Sequence, residues 1–181
     1  MPPTRTIHEP VEFAAPIGTR VRVATLLSLA IVPAAILFNL ALRQWFNLPP
    51  RTFWPMLLAP TIGIAVIVPI WIFQRILKYR VTATGLEVVR YRRINRFDLD
   101  KLESVECDPR AMEWSLKIFG NDGLGAITGR FRNRKLGPYE ALVTDRSQAV
   151  VLRWPEKTLV VSPERPHDFA DSVRARAGLR R

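Results

Sequence analysis

The chain has 181 residues, 48% of them hydrophobic, and carries 27 lysines and arginines against 16 acids for a net charge of +11. That size admits a single domain, and the lone Cys107 excludes an internal disulfide and suits a reducing cytosol. The basicity raises nucleic acid as a partner, but no nucleic-acid motif accompanies it, and the arginines cluster where membrane topology accounts for them.

Residues 1–20 read as a tail in which "HEP" and "AAP" interrupt any helix and Arg5 and Arg20 balance Glu9 and Glu12. Two apolar runs follow, Val21–Leu42 and Phe53–Leu77, and between Val23 and Gln74 the only charges are Arg43 and Arg51. A helix needs about 20 apolar residues to cross the hydrocarbon layer, and each run supplies them. Pro49 and Pro50 stop helix propagation in the short connection "RQWFNLPPRT", so the chain is expected to cross a membrane and return. The remaining residues are too few to bury two helices that are apolar all round. The first run exceeds the apolar stretch of a secretory leader and lacks a small-x-small cleavage site before Arg43, so it is expected to stay on the protein.

Basic residues set the orientation. Arg43 and Arg51 lie at the connecting loop. At the other end lie Arg5, Arg20, Arg22, Arg75, Lys78, Arg80, Arg90, Arg92 and Arg93. Both termini are therefore expected in the cytoplasm. Trp45, Phe46, Phe53 and Trp54 form an aromatic belt at one end and Trp71, Phe73 and Tyr79 at the other. No ionisable group lies mid-run to mark a transport path. Pro60 and Pro69 read as structural kinks.

From Tyr79 the apolar rhythm alternates, which signals strands. "YRVTATGLEVVRYRR" reads as a hairpin turning at Thr84-Gly85, with a third strand near Leu102–Cys107. Further strands are expected over Met112–Phe119, Leu124–Arg132 and Tyr139–Thr144, then in "QAVVLRW" and "TLVVS". The stretch "SPERPHDFADSVRARAG" reads as a helix, with Pro166 at its start, Asp168 and Asp171 early, Arg174 and Arg176 late, and Gly178 just past its end. The fold class is α+β: a two-helix hairpin (residues 21–78) followed by a partly open barrel of about seven strands capped by a helix (residues 79–181).

Three stretches, "YRVTATGLEVVRYRR" with "FDLDKLESVE", "FGNDGLGAITGRFRN" and "VVSPERPHDFADSV", resemble the bacterial pleckstrin-homology-like domains fused behind two membrane helices. The resemblance implies seven strands and a capping helix, a binding or oligomerisation scaffold without catalytic residues or cofactor, and a place at the bacterial cytoplasmic membrane. Relatives in the wider superfamily that bind phosphoinositides use a basic motif in the first hairpin. Arg90, Arg92 and Arg93 match it too loosely to carry over a ligand.

The glycine-rich loop raises a nucleotide. Gly120, Gly123 and Gly125 give GxxGxG rather than GxGxxG, and Ala126 stands where a phosphate loop needs lysine. Asn121-Asp122-Gly123 is turn chemistry instead. Behind it, Arg130, Arg132 and Arg134 are spaced by two, so an extended backbone points them one way, and Lys135 adds a fourth charge. Each basic side chain near an anionic leaflet gains about 1 kcal/mol, which makes these four candidate headgroup contacts. A solvated strand face is the plain alternative. Arg75, Lys78 and Arg80, at the hairpin exit, form a second set, expected to anchor rather than to recognise. Arg90, Arg92, Arg93 and Arg96 read as the outer face of the hairpin. His8, His167 and Cys107 are too few and too dispersed in sequence for a metal site or a nucleophile–base pair. Asp98, Asp100, Glu103 and Glu106 read as a solvated edge.

Two functional classes emerge. In the first, a non-enzymatic membrane-tethered module binds a protein partner, a second copy of itself or anionic phospholipid through an open strand edge or a basic face. In the second, the chain is an accessory subunit that docks into a membrane enzyme or transporter through its hairpin, with Gly63 at the contact.

Overall fold

A computed structural model describes residues 9–47 and 49–179; His8 and Arg5 lie outside them. Helix α1 spans Thr19–Phe46 and helix α2 spans Pro50–Gln74. The connection is shorter than the ten residues expected, because Arg43–Phe46 continue α1 until Asn47 ends it in the left-handed region (φ 48°). Pro49 stands as the extended cap and Pro50 as the first residue of α2, where its missing N–H costs no helix bond. At its far end α2 stops at Gln74, three residues early. Arg75 turns extended (φ −65°, ψ 125°), and Ile76, with its side chain buried, opens a strand. Gly63 faces Val32 of α1, 3.8 Å from where a β-carbon would stand.

The expected tail is the first departure. Val11–Ala14 form strand β1, antiparallel to β2 (Ile76–Val81), with Phe13 opposite Tyr79. Alternation does the rest: Phe13 turns into the core, and Glu12 turns out towards Lys78 and Arg80. Strands β3 (Gly85–Arg90) and β4 (Ile94–Asp98) complete a four-stranded antiparallel sheet in chain order. The second sheet holds β5 (Ser104–Cys107), β6 (Leu116–Asp122), β7 (Ile127–Asn133), β8 (Gly137–Val143), β9 (Val150–Arg153) and β10 (Thr158–Val161). Its order is β5-β9-β10-β8-β7-β6, with β8 and β10 parallel. The described residues thus carry ten strands in two sheets, two more than the eight stretches that the sequence marks as strands. The extra ones are β1, drawn from the tail, and β4, separated from β5 by a turn in which Lys101 adopts φ 59°.

Between the sheets lies the main core. Helix α3 (Pro166–Ala177) closes it with Phe169, Ala170 and Val173, all fully buried, and Gly178 caps the helix at φ 70°. The Phe169 ring meets Phe13 edge-on at 5.3 Å and Tyr79 at 6.2 Å. The Tyr79 hydroxyl donates to the Leu142 carbonyl at 2.8 Å, and burial pushes its pKa up. A second core covers the outer face of the larger sheet, where Ile127, Phe131, Ala141 and Val151 pack under Ala111, Met112 and Val21. Val21 belongs to α1. Phe13, Val21 and Ile76, which precede Tyr79 in the chain, are thus parts of these cores.

Candidate functional site

The glycine-rich turn between β6 and β7 is where the helical hairpin meets the β domain. Asn121 builds the turn, its amide donating to the Leu124 and Ala126 carbonyls at 2.6 and 2.7 Å while its oxygen accepts the Leu124 N–H at 3.1 Å. Thr25, buried in the second turn of α1, donates its hydroxyl to the Gly123 carbonyl at 3.2 Å and accepts the Gly125 N–H at 3.1 Å. Both glycines have positive φ (129° and 78°). A β-carbon on Gly123 would stand 2.9 Å from the Ala24 β-carbon, and one on Gly125 would stand 2.8 Å from the Trp71 carbonyl. Only glycine lets the turn lie this close to both helices. The residues that resembled a phosphate loop therefore grip helices.

Polar groups lock the same junction. Asp122 bridges Arg20 of α1 at 3.2 Å and Arg146 of the turn after β8 at 3.0 Å. Gln74, the last residue of α2, accepts from the Thr128 hydroxyl at 3.0 Å. The Gly18 N–H donates to the Thr144 carbonyl at 3.0 Å. Burial lowers the pKa of Arg90, helped by neighbouring Arg93.

The basic clusters part company. Arg130 and Arg132 are exposed on β7, with Phe131 buried between them as alternation requires, and Arg134 is exposed in the turn that follows. Lys135 is drawn into an ion pair with Asp108. Lys78 and Arg80 both reach Glu12 at 2.8 Å, and Arg80 also meets Glu87 at 3.4 Å. These two cations, Lys78 first, hold the Glu12 carboxyl below its usual range. Arg75 is exposed at the exit of α2, with no ion pair among the described residues.

Beside Arg130 and Arg132 runs β6, an edge of the larger sheet. Its apolar side chains and the preceding Trp114 stand open: Trp114 is 96% exposed, Leu116 77%, Ile118 60% and Phe119 77%. Trp114 sits at φ 53° in the turn before the strand, and a register shift between Lys117 and Phe119 breaks the inward–outward alternation. The result is an apolar edge flanked by guanidinium groups. Arg110, Glu113, Trp114, Arg134 and Lys135 line an open cleft of about 660 Å³ at its start.

Cys107 and His167, distant in sequence, line one shallow depression with Arg174. Burial pushes the half-buried thiol up, the opposite of what a nucleophile needs.

The family model described as bacterial PH domain matches residues 77–177, which run from the start of β2 to the end of α3. No curated protein and no solved structure matches the chain.

Proposed function

Because the chain belongs to the bacterial PH domain family, we propose that it is a non-catalytic binding module held at the inner face of the bacterial cytoplasmic membrane. In this reading the β6–β7 edge takes up a protein segment that carries acids among apolar residues. A PH-like domain is in general a binding or scaffold unit, and the rest follows from what this chain leaves uncovered. Only 6% of the most apolar window of either long helix is buried, which favours helices in lipid over the core helices of a soluble protein. Lipid is the solvent that suits them.

The observation that carries the binding surface is the exposed edge of β6. Its unpaired backbone groups accept an added strand, Leu116, Ile118 and Phe119 offer apolar grip, and Arg130 and Arg132 select acids. Headgroup contact through Arg130, Arg132, Arg134 and Lys135 is the competing use of the same charges. The turn before β7 meets Trp71 at Gly125, and β7 itself meets Gln74 at Thr128 and then runs on to Asn133. At about 3.3 Å per residue, Arg130 lies roughly 7 Å and Arg132 roughly 13 Å of strand further on. Screening at physiological salt acts over about 8 Å, so Arg132 above all suits a partner that comes to the edge better than a leaflet at the hairpin's base.

A photo-crosslinking residue at Phe119 of the full-length protein in cells tests this. The expected outcome is a discrete protein adduct that disappears in Arg130→Glu/Arg132→Glu and does not form from Arg96 on β4. An adduct with a second copy identifies self-association through the same edge. Adducts confined to phospholipid, or identical from both positions, overturn the reading.

A further inference from the structure

Where α1 leaves the β domain, a crevice of about 200 Å³ opens between its first turns, the end of α2 and the glycine turn. Leu26 and Leu29 of α1 and Trp71 of α2 give it apolar walls, and Gly125 lies at its back. Its remaining edge is basic: Arg22, in the first turn of α1, and Arg75, at the exit of α2. Charge pairing around it is selective. Arg20 is held by Asp122, and Lys78 and Arg80 by Glu12. Arg22 and Arg75 have no ion pair among the described residues, and both are exposed. Three of the basic groups at the hairpin's base are thus neutralised, Arg90 and Arg92 lie against Gln74 and Phe73 of α2 instead, and the two that line the apolar crevice stand without an ion pair.

We infer that this crevice is a site for one anionic glycerophospholipid, its phosphate between Arg22 and Arg75 and the upper part of an acyl chain against Leu26, Leu29 and Trp71. Guanidinium groups suit the ligand, since each presents several donors in a planar fork to phosphate oxygens. The combination of charge and apolar wall distinguishes a lipid from free phosphate, which has no use for leucines. Basic pockets between helices on the cytoplasmic side bind headgroups in this way. The glycine turn that closes the crevice also links its occupancy to the seating of the β domain, because Thr25 bonds Gly123 and Gly125 directly beside it. The site is separate from the β6–β7 edge, and it rests on the proposal that the hairpin lies in a membrane.

The test uses the full chain, extracted in mild detergent, with native mass measurement during titration by phosphatidylglycerol or by phosphatidylcholine of the same acyl composition. A third arm uses inorganic phosphate. One phosphatidylglycerol is expected to bind per chain, about thirtyfold tighter than phosphatidylcholine, as two headgroup attractions of ordinary size would give. Arg22→Gln/Arg75→Gln should remove that preference, Arg22→Lys/Arg75→Lys should keep most of it, and Arg130→Gln/Arg132→Gln should leave it whole. Inorganic phosphate is expected not to compete. An unchanged preference in Arg22→Gln/Arg75→Gln, equal binding of the two lipids, or competition by phosphate at millimolar concentration overturns the site. Failure of the membrane reading looks different: every variant and the parent would then appear in the soluble fraction without detergent.

Discussion

Gly129→Ala is expected to lower the melting temperature of the full-length protein by about 10 °C, corresponding to roughly 3 kcal/mol or more for a chain of this size. Gly129 (φ 132°) pairs across β6–β7 with Gly120 (φ 123°). A β-carbon on Gly129 would stand 2.2 Å from the Phe119 carbonyl oxygen, and one on Gly120 equally close to that of Thr128. Both obstacles are backbone, so no side chain can swing aside, and the added strain of a positive φ falls on top of the collision. Because this hairpin carries both the helix-gripping turn and the exposed edge, the variant should also lose the adduct formed from Phe119. Gly137→Ala is the control. Its φ is 68° but nothing lies within 4 Å of an added β-carbon, so a loss of only about 1 kcal/mol is expected. Equal losses at the two positions, read by thermal unfolding in detergent, would contradict the account of the hairpin.

Phe169→Ala should cost about 3–5 kcal/mol, the usual range for deleting a fully buried aromatic ring. Phe169 is completely buried and touches the rings of Phe13 on β1 and Tyr79 on β2. Losing it therefore loosens three elements together: α3, the N-terminal strand and the strand that leads out of α2. Hydrogen exchange should report faster opening of Pro166–Ala177 and of Val11–Ala14 in the same variant. Exchange confined to α3, with β1 still protected, would show that the N-terminal strand is held by its pairing with β2 alone.

These two positions mark where the sequence was readable and where it was not. Phe169 was legible, because Pro166 at the start, acids early, arginines late and Gly178 beyond the end define α3 without tertiary information. The two long helices were legible for a similar reason, since continuous apolar composition needs no partner to interpret it. The turn at Asn121–Gly123 announced itself through residue type. What those glycines face could not be read, because Ala24, Thr25 and Trp71 are brought to them only by the fold. Strand β1 was hidden as well. It has four residues, a single inward side chain in Phe13, and a partner strand far along the chain at Ile76–Val81. With β1 unseen, the neutralisation of Lys78 and Arg80 by Glu12 was out of reach. A count of basic residues at the hairpin's base therefore does not show which of them are paired, and Arg22 counted towards topology without being placed beside Arg75. The exposure of the β6 edge could not be read, because alternation groups side chains on one face without saying whether another layer covers it. The register shift and the turn at Trp114 leave Leu116, Ile118 and Phe119 open.

Membrane placement is the claim on which the binding edge and the lipid crevice both depend, and cysteine accessibility reaches it directly. In a Cys107→Ser background, Gln44→Cys marks the last turn of α1, at the end that leads into α2, and Ser147→Cys marks the β domain; both positions are exposed. An impermeant maleimide applied to intact spheroplasts should label the Gln44→Cys protein and reach the Ser147→Cys protein only after lysis. Labelling of the Ser147→Cys protein from outside, or recovery of the chain in the soluble fraction without detergent, would contradict the account.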